Sequence, residues 1–86
     1  MRVCFHPHFN KNHKKCSVKV QMQFKKRLKL FLEDPHHPLL ENHALHGEWQ
    51  EFRSINVTGD YRALYRYMNG DVAEFFAIDT HSNLYE

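Results

Sequence analysis

The chain has 86 residues, 42% of them hydrophobic and 14% aromatic, and its formal net charge is +2. This length predicts a single domain over residues 1–86 with a thin core, because a chain of this size buries only about 60% of its unfolded surface. No apolar run is long enough to span a membrane and no secretory signal is recognisable, so we expect a cytoplasmic protein with no membrane partner.

The first third of the sequence predicts a short strand followed by two helices. Residues 2–6 suit an edge strand that ends at Pro7, and residues 8–15 suit a short polar helix. Ser17 is a suitable N-cap for the second helix. An apolar stripe at helical spacing runs along that helix and consists of Val20, Phe24, Leu28 and Phe31. The helix should end before Pro35, which disfavours helical geometry in the residue that precedes it.

A connector over residues 35–47 leads into a region of alternating polar and apolar residues that predicts three strands. Thr58-Gly59-Asp60 forms the first turn, and Asn69-Gly70 is a strong hairpin signal before the last strand. The order is therefore β-α-α-β-β-β, ending in a short tail or helical turn. We expect an α+β fold in which a small antiparallel sheet packs against two N-terminal helices.

Charge is distributed unevenly along the chain. Residues 1–32 hold nine Lys or Arg and no acidic residue, whereas the remainder holds three Arg and all ten acidic residues. This asymmetry favours a polyanionic partner for the basic part, and the alternative is a well-solvated helix face. Phosphate contacts of this kind give affinity without sequence preference. The candidate nucleic-acid contacts in the helices are Lys11, Lys14, Lys15, Lys25, Lys26 and Lys29.

Eight histidines and two cysteines raise the question of a metal site. Neither the histidine pairs nor Cys4 and Cys16 have the spacing of a closed zinc site, so we expect no metal and no other cofactor. A disulfide between the two cysteines stays open at the level of the sequence.

The three-strand meander brings the chain's later polar residues towards one region. We expect His81 and Tyr85, in the tail after the last strand, to lie near Arg62 and Arg53 on the sheet face opposite the helices. Arg66 is a further candidate contact for nucleic acid on this sheet. The alternative for Arg62 and Arg66 is cross-strand pairing with Glu74 and Asp71 across the hairpin.

Three stretches carry a resemblance to a known family: "NHALHGEW" (residues 42–49), "FRSINVTGDYRALYR" (residues 52–66) and "THSNLY" (residues 80–85). Together they resemble toxins of the RelE/ParE superfamily from type II toxin–antitoxin systems, most of all the YafQ-type mRNA interferases. The resemblance implies a ribosome-dependent endoribonuclease that cuts messenger RNA without a metal, by attack of the 2′-hydroxyl on the adjacent phosphate. It also implies a cognate antitoxin as partner, and operator DNA bound through the antitoxin complex.

The resemblance also implies which residues act. His43 and His81 match the family's active-site histidines, Asp60 matches an acid in the turn, and Tyr85 matches a terminal aromatic residue. Arg62 matches an arginine that faces the scissile phosphate. We expect His81 to be the general acid and Arg62 to hold the phosphate, with His43 or Asp60 as the base or its orienting partner.

The sequence departs from the family pattern where Ser54 and Asn56 replace an acid and a second histidine, and where Asp79 replaces a glycine. Neither Ser54 nor Asn56 is a general base near neutral pH. Two alternatives therefore stay open: a ParE-like, non-catalytic toxin that inhibits DNA gyrase, and a catalytically inactive relative that binds an antitoxin.

Overall fold

The computed structural model describes residues 1–85, which form three α-helices and one five-stranded sheet. The strands are β1 (Arg2–Phe5), β2 (His43–Ala44), β3 (Arg53–Asn56), β4 (Tyr61–Asn69) and β5 (Val72–Thr80). The helices are α1 (Pro7–Lys15), α2 (Val18–Glu33) and α3 (His81–Tyr85). Two short 3₁₀ turns, Pro38–Leu40 and Gly47–Trp49, interrupt the segment between α2 and β3.

Local chemistry sets the bounds of the first two helices. Pro7 occupies the first turn of α1, where its missing N–H costs nothing, and the Nδ1 atom of His6 accepts a hydrogen bond from the backbone N–H of His8 at 3.0 Å. Ser17 caps α2, since its hydroxyl accepts from the backbone N–H of Val20 at 3.2 Å. Asp34 is extended, as expected for a residue before proline, and ends α2. No helix within residues 1–85 has the length and apolar character that crossing a membrane requires.

The predicted α+β architecture is confirmed, with two corrections to its sheet. The strand order is β1-β5-β4-β3-β2, and β1 pairs with β5 in parallel, so the sheet is mixed. The parallel pair is possible because all of the intervening chain serves as its crossover connection. The sheet also has a fifth strand, β2, which lies within the predicted connector; two residues are too few to show an alternating pattern. The hairpin at Asn69-Gly70 is present between β4 and β5.

The two faces of the sheet bury different clusters. The helix-covered face packs Phe9 of α1 and the α2 stripe against β3, β4 and β5. Phe31 and Phe75 are fully buried there, with ring centroids 5.5 Å apart. The opposite face, which we call the open face, carries a smaller cluster of Phe52, Leu64 and Ala77. Leu84 and Tyr85 pack against this cluster, so α3 folds over part of the open face.

Candidate functional site

Two rows of side chains cross the open face, as the strand register defines them. In the first row His43 lies opposite Ser54, which lies opposite Leu64. In the second row Asn56 lies opposite Arg62, which lies opposite Asp79. Because directly opposed residues in antiparallel strands project from the same face, the sheet gathers polar side chains at the end that contains the β3–β4 turn.

The β3–β4 turn holds the Arg62 guanidinium in one position. Its Nη1 atom donates to three backbone carbonyl oxygens, those of Thr58 at 3.0 Å, Gly59 at 3.2 Å and Tyr61 at 3.0 Å. Among residues 1–85, the Nε and Nη2 atoms have no protein acceptor within hydrogen-bonding distance. The side chain is thus anchored through one nitrogen and keeps donors for an anion, a geometry suited to phosphate.

His81 lies beside the same turn. Its backbone N–H donates to the carbonyl oxygen of Asp60 at 2.9 Å, which joins the start of α3 to the residue two positions before Arg62. Its imidazole packs edge-on against the ring of Tyr85, with centroids 4.7 Å apart and planes at 62°. The fold therefore brings Asp60, Arg62, His81 and Tyr85 to one end of the sheet.

His43 has a defined tautomer at the far side of this face. Its Nδ1 atom lies 2.8 Å from the backbone oxygen of Glu41. A carbonyl oxygen only accepts, so Nδ1 carries the proton, and in the neutral ring Nε2 keeps its lone pair. β2 and β5 are three strand positions apart in the sheet, about 14 Å at the usual spacing, so His43 and His81 flank the open face from opposite sides.

Glu41 also contacts the polar side chains of the candidate site, and the sequence pattern did not indicate it. Its backbone oxygen fixes the His43 ring, and its carboxylate accepts a hydrogen bond from the side-chain amide of Asn56. Glu41 also adopts a left-handed backbone conformation, with φ of 45°, which is uncommon outside glycine. Only the close approach of the segment before β2 to β3 reveals this role, because the two residues are 15 positions apart.

Solved structures share this whole arrangement of helices and strands. YafQ from E. coli strain BL21(DE3) matches with a TM-score of 0.83 at 19% identity, over 100% of both chains. A YoeB/ParE toxin from Agrobacterium tumefaciens matches with a TM-score of 0.77 at 15% identity, over 94% of this chain and 99% of that one. The chain has the fold of the YafQ and YoeB/ParE toxins. The resemblance suggested by the sequence motifs is confirmed at the level of the fold.

Further comparisons define the extent of this likeness. The E. coli DinJ–YafQ toxin–antitoxin complex matches with a TM-score of 0.74 at 22% identity, over 98% of this chain and 96% of that one. No protein-family model and no curated protein sequence matches the chain. The YafQ-like fold is thus shared with these three structures at only 15–22% sequence identity.

Two arginines that the sequence suggested for the site, Arg53 and Arg66, lie apart from the residues at the β3–β4 turn. Arg53 pairs with Tyr65, whose side chain belongs to the helix-covered face, and its Nε atom donates to the Asn42 side chain at 2.9 Å. Strand alternation therefore places it on the other face from Arg62, contrary to our expectation.

Arg66 is on the open face, over the Phe52 ring, where hydrogen bonds from its guanidinium to Glu51 and Glu74 raise its pKa. Two carboxylates thus offset its charge.

The candidate lysines are exposed but do not form one patch. Three lie on α1 and three on α2, and of these six only Lys26 lines the groove beside the β3–β4 turn. Within residues 1–85, no group of three or more His, Cys, Asp or Glu side chains is arranged to hold a metal ion. The thiols of Cys4 and Cys16 are free, which decides against the disulfide that the sequence left open.

Two hydroxyls on the open face are buried without a hydrogen-bond partner among residues 1–85. They are Ser54 Oγ and the Tyr85 hydroxyl. Ser54 is wholly inaccessible, at one of the positions where the sequence departs from the YafQ-type pattern. Leaving a buried hydroxyl unpaired costs about 1–3 kcal/mol, so neither group is explained by stability alone.

Proposed function

We propose that this protein is the toxin of a type II toxin–antitoxin pair, and that it cleaves messenger RNA on the ribosome in the cytoplasm. The YafQ-like fold supports the toxin role. The observation that supports the enzymatic role is that the same β3–β4 turn binds both residues, His81 through its backbone N–H to Asp60 and Arg62 through its guanidinium to the carbonyls of Thr58 and Gly59. Such a pair combines an acid–base group with a positioned cation, as cleavage of a ribose–phosphate linkage requires.

The reaction is a transfer within the RNA strand. The 2′-oxygen attacks the adjacent phosphorus while the bond from phosphorus to the 5′-oxygen breaks. A base takes the proton of the 2′-hydroxyl, and an acid gives a proton to the departing 5′-oxygen. The products are a 2′,3′-cyclic phosphate and a 5′-hydroxyl, so atoms and charge balance without a redox step or a co-reactant.

Each step has a side chain suited to it. The base is Asp60, which lies in the same turn that holds Arg62, or His43, whose Nε2 atom is left free because its Nδ1 proton is directed to the Glu41 carbonyl. His81 acts as the acid, with Asp60 and Tyr85 orienting it. A positioned acid or base contributes about 10²–10⁴-fold. Arg62 stabilises the charge on the phosphorane, and one preorganised donor contributes about 10²–10³-fold.

The ribosome supplies what so sparse a site lacks. The ribosome would hold the messenger in the reactive geometry. This orientation lowers the activation barrier by several kcal/mol. The exposed lysines of α1 and α2 would contact ribosomal RNA phosphates.

An antitoxin is the expected protein partner. The DinJ–YafQ complex is a toxin–antitoxin complex of the same fold. For this chain we propose a cognate antitoxin whose acidic, disordered segment folds on binding the basic helices. Operator DNA would be bound by the complex, mainly through the antitoxin.

Cleavage on programmed ribosomes tests the enzymatic proposal. We expect the parent to generate new 5′-hydroxyl ends within the messenger, and His81→Ala and Arg62→Ala each to lower the rate at least about 100-fold. His46→Ala is the matched control, since His46 is exposed in the same part of the chain as His43 and its side chain caps nothing. Equal cutting by all four proteins would refute the site.

One feature favours an antitoxin-binding protein without activity as the second candidate. Ser54 and Asn56 provide no titratable group, and the Asn56 amide is engaged by Glu41. A parent that yields no 5′-hydroxyl ends, yet is neutralised or bound by its antitoxin, would support this candidate. Double-strand DNA breaks without RNA cleavage would instead support a gyrase inhibitor of the ParE type.

A further inference from the structure

An open groove of about 820 Å³ lies between α2 and the β3–β4 turn. One wall is the surface of α2, and the other is formed by the segment from Pro38 to Glu41 together with Asn56, Thr58 and Gly59. The groove is too large to be a packing defect, since it is within the usual size range of ligand sites. Its lining includes Lys19 and Arg27, which are not among the nucleic-acid contacts predicted from the sequence.

The helical wall of the groove is cationic. Lys19 and Lys26 are seven residues apart, so they lie on the same side of α2 with about 10 Å between them along the axis. The Nε atom of Arg27 lies 3.4 Å from the Val57 oxygen, to which it donates, and this holds the guanidinium at the groove. Glu41 is the one carboxylate that lines the groove among the described residues, and Asn56 binds it. The groove therefore favours an anionic ligand.

Exposed apolar side chains lie between these cations. Met22 on α2 is 60% exposed and Leu39 on the opposite wall is 58% exposed, and both line the groove. A flexible thioether and a leucine offer an adaptable surface for flat apolar faces. A ligand with regularly spaced anions and apolar rings between them matches this alternation, and single-stranded RNA is such a ligand.

The groove is continuous with the candidate active site. Thr58 and Gly59 line it, and their carbonyl oxygens are the ones that hold the Arg62 guanidinium. Asn56, also in the lining, lies directly opposite Arg62 in the sheet. A strand whose phosphate contacts Arg62 would therefore lie next to residues that line the groove.

We propose that this groove binds the single-stranded RNA segment next to the scissile phosphate, through Lys19, Lys26 and Arg27. The inference rests on the proposed function and adds to it a substrate subsite outside the catalytic residues. An acidic protein segment is the competing occupant. RNA is favoured because the cations lead directly to the phosphate-holding arginine.

Binding of an uncleavable RNA analogue tests the groove. The probe is a short fluorescein-labelled 2′-O-methyl oligouridylate, and its anisotropy is measured against protein at a series of salt concentrations. We expect Lys19→Ala/Lys26→Ala to weaken binding about tenfold at low salt. The slope of log affinity against log salt should fall by about 1.4, because each phosphate contact in a single strand contributes about 0.7.

The matched control removes one charge elsewhere. Arg2→Ala deletes an exposed cation of β1 that does not line the groove, and it is compared with Lys19→Ala within the groove. The affinity and salt slope of Arg2→Ala should equal the parent's, whereas Lys19→Ala should lower the slope by about 0.7. An equal loss in these two single variants would mean a diffuse charge effect and would overturn the proposal, as would no loss in the groove double variant.

A second pair of variants tests the groove without removing a lysine. Met22→Glu introduces an anion into the groove, whereas Val18→Glu makes a similar change at a residue that is 70% exposed on α2 outside it. We expect only Met22→Glu to weaken RNA binding at least about fivefold. If Met22→Glu abolishes antitoxin binding and leaves RNA binding intact, the groove is a protein-docking site and the RNA proposal is wrong.

The groove and the catalytic proposal can fail separately. The analogue lacks the 2′-hydroxyl that reacts, so its binding does not depend on turnover. If the parent cuts no messenger, the catalytic proposal is refuted. If the parent nevertheless binds the analogue and the groove variants do not, the groove proposal is supported.

Discussion

Ser54→Ala tests whether the buried hydroxyl on β3 destabilises the protein. Ser54 is fully buried, and its Oγ has no hydrogen-bond partner among residues 1–85. An unpaired buried hydroxyl costs about 1–3 kcal/mol, whereas the substitution removes a single atom and leaves little cavity. We therefore expect the free energy of unfolding to rise by about 1 kcal/mol. For a domain of this size that corresponds to a Tm higher by about 4–8 °C.

Ser17→Ala makes the same chemical change with the opposite expected sign. The Ser17 hydroxyl caps α2 by accepting from the Val20 N–H, and loss of such a cap costs about 1 kcal/mol. Urea unfolding of the parent and the two variants, fitted with a common m-value, measures both effects. A fall in the midpoint for Ser54→Ala similar to that for Ser17→Ala would refute the reasoning. Loss of cleavage together with a gain in stability would show that the Ser54 hydroxyl serves activity at a cost in stability.

Three further predictions concern single side chains. Tyr85→Phe should also raise the urea midpoint, because it removes a buried hydroxyl that has no partner among residues 1–85. Unchanged cleavage by this variant would limit Tyr85 to packing beside His81, whereas loss of cleavage would give its hydroxyl a role in the reaction. Burial raises the pKa of Tyr65 to about 12, so its hydroxyl ionises at a lower pH in the unfolded chain than in the folded one. The free energy of unfolding should therefore fall as pH rises from about 10 towards 12, and Tyr65→Phe should reduce that fall. Burial and the nearby Asp79 raise the pKa of Cys16, so iodoacetamide should label exposed Cys4 faster, as peptide mass spectrometry would show; faster labelling of Cys16 would contradict this.

Much of the fold follows from local signals in the chain. Ser17 and Pro35 bound α2, the spacing of Val20, Phe24 and Phe31 defines its buried side, and Asn69-Gly70 defines the β4–β5 hairpin. These features were predictable because each depends on residues within a few positions of one another. The parallel β1–β5 pair and the two-residue β2 were not, because pairing between strands far apart in sequence leaves no periodic trace.

The candidate site likewise combines positions that the sequence predicted with positions that it did not. Strand alternation places Arg62 on the open face, and the register of the β4–β5 hairpin brings His81 beside the first turn. The expectation for Arg53 was wrong because its partner, Tyr65, faces the helices. The roles of Glu41 could not be predicted, since its left-handed backbone and its bond to Asn56 depend on how a loop meets a distant strand.

By itself the sequence determined the helices, the hairpin and which residue types are available for acid–base and phosphate chemistry. Only the tertiary structure decided that a cationic groove lies beside the turn that holds Arg62, that His43 presents Nε2, and that two hydroxyls are buried unpaired among residues 1–85. The physical reason is that hydrogen-bond pairing and burial depend on the partners that folding brings together, whereas capping and periodicity depend on neighbours along the chain.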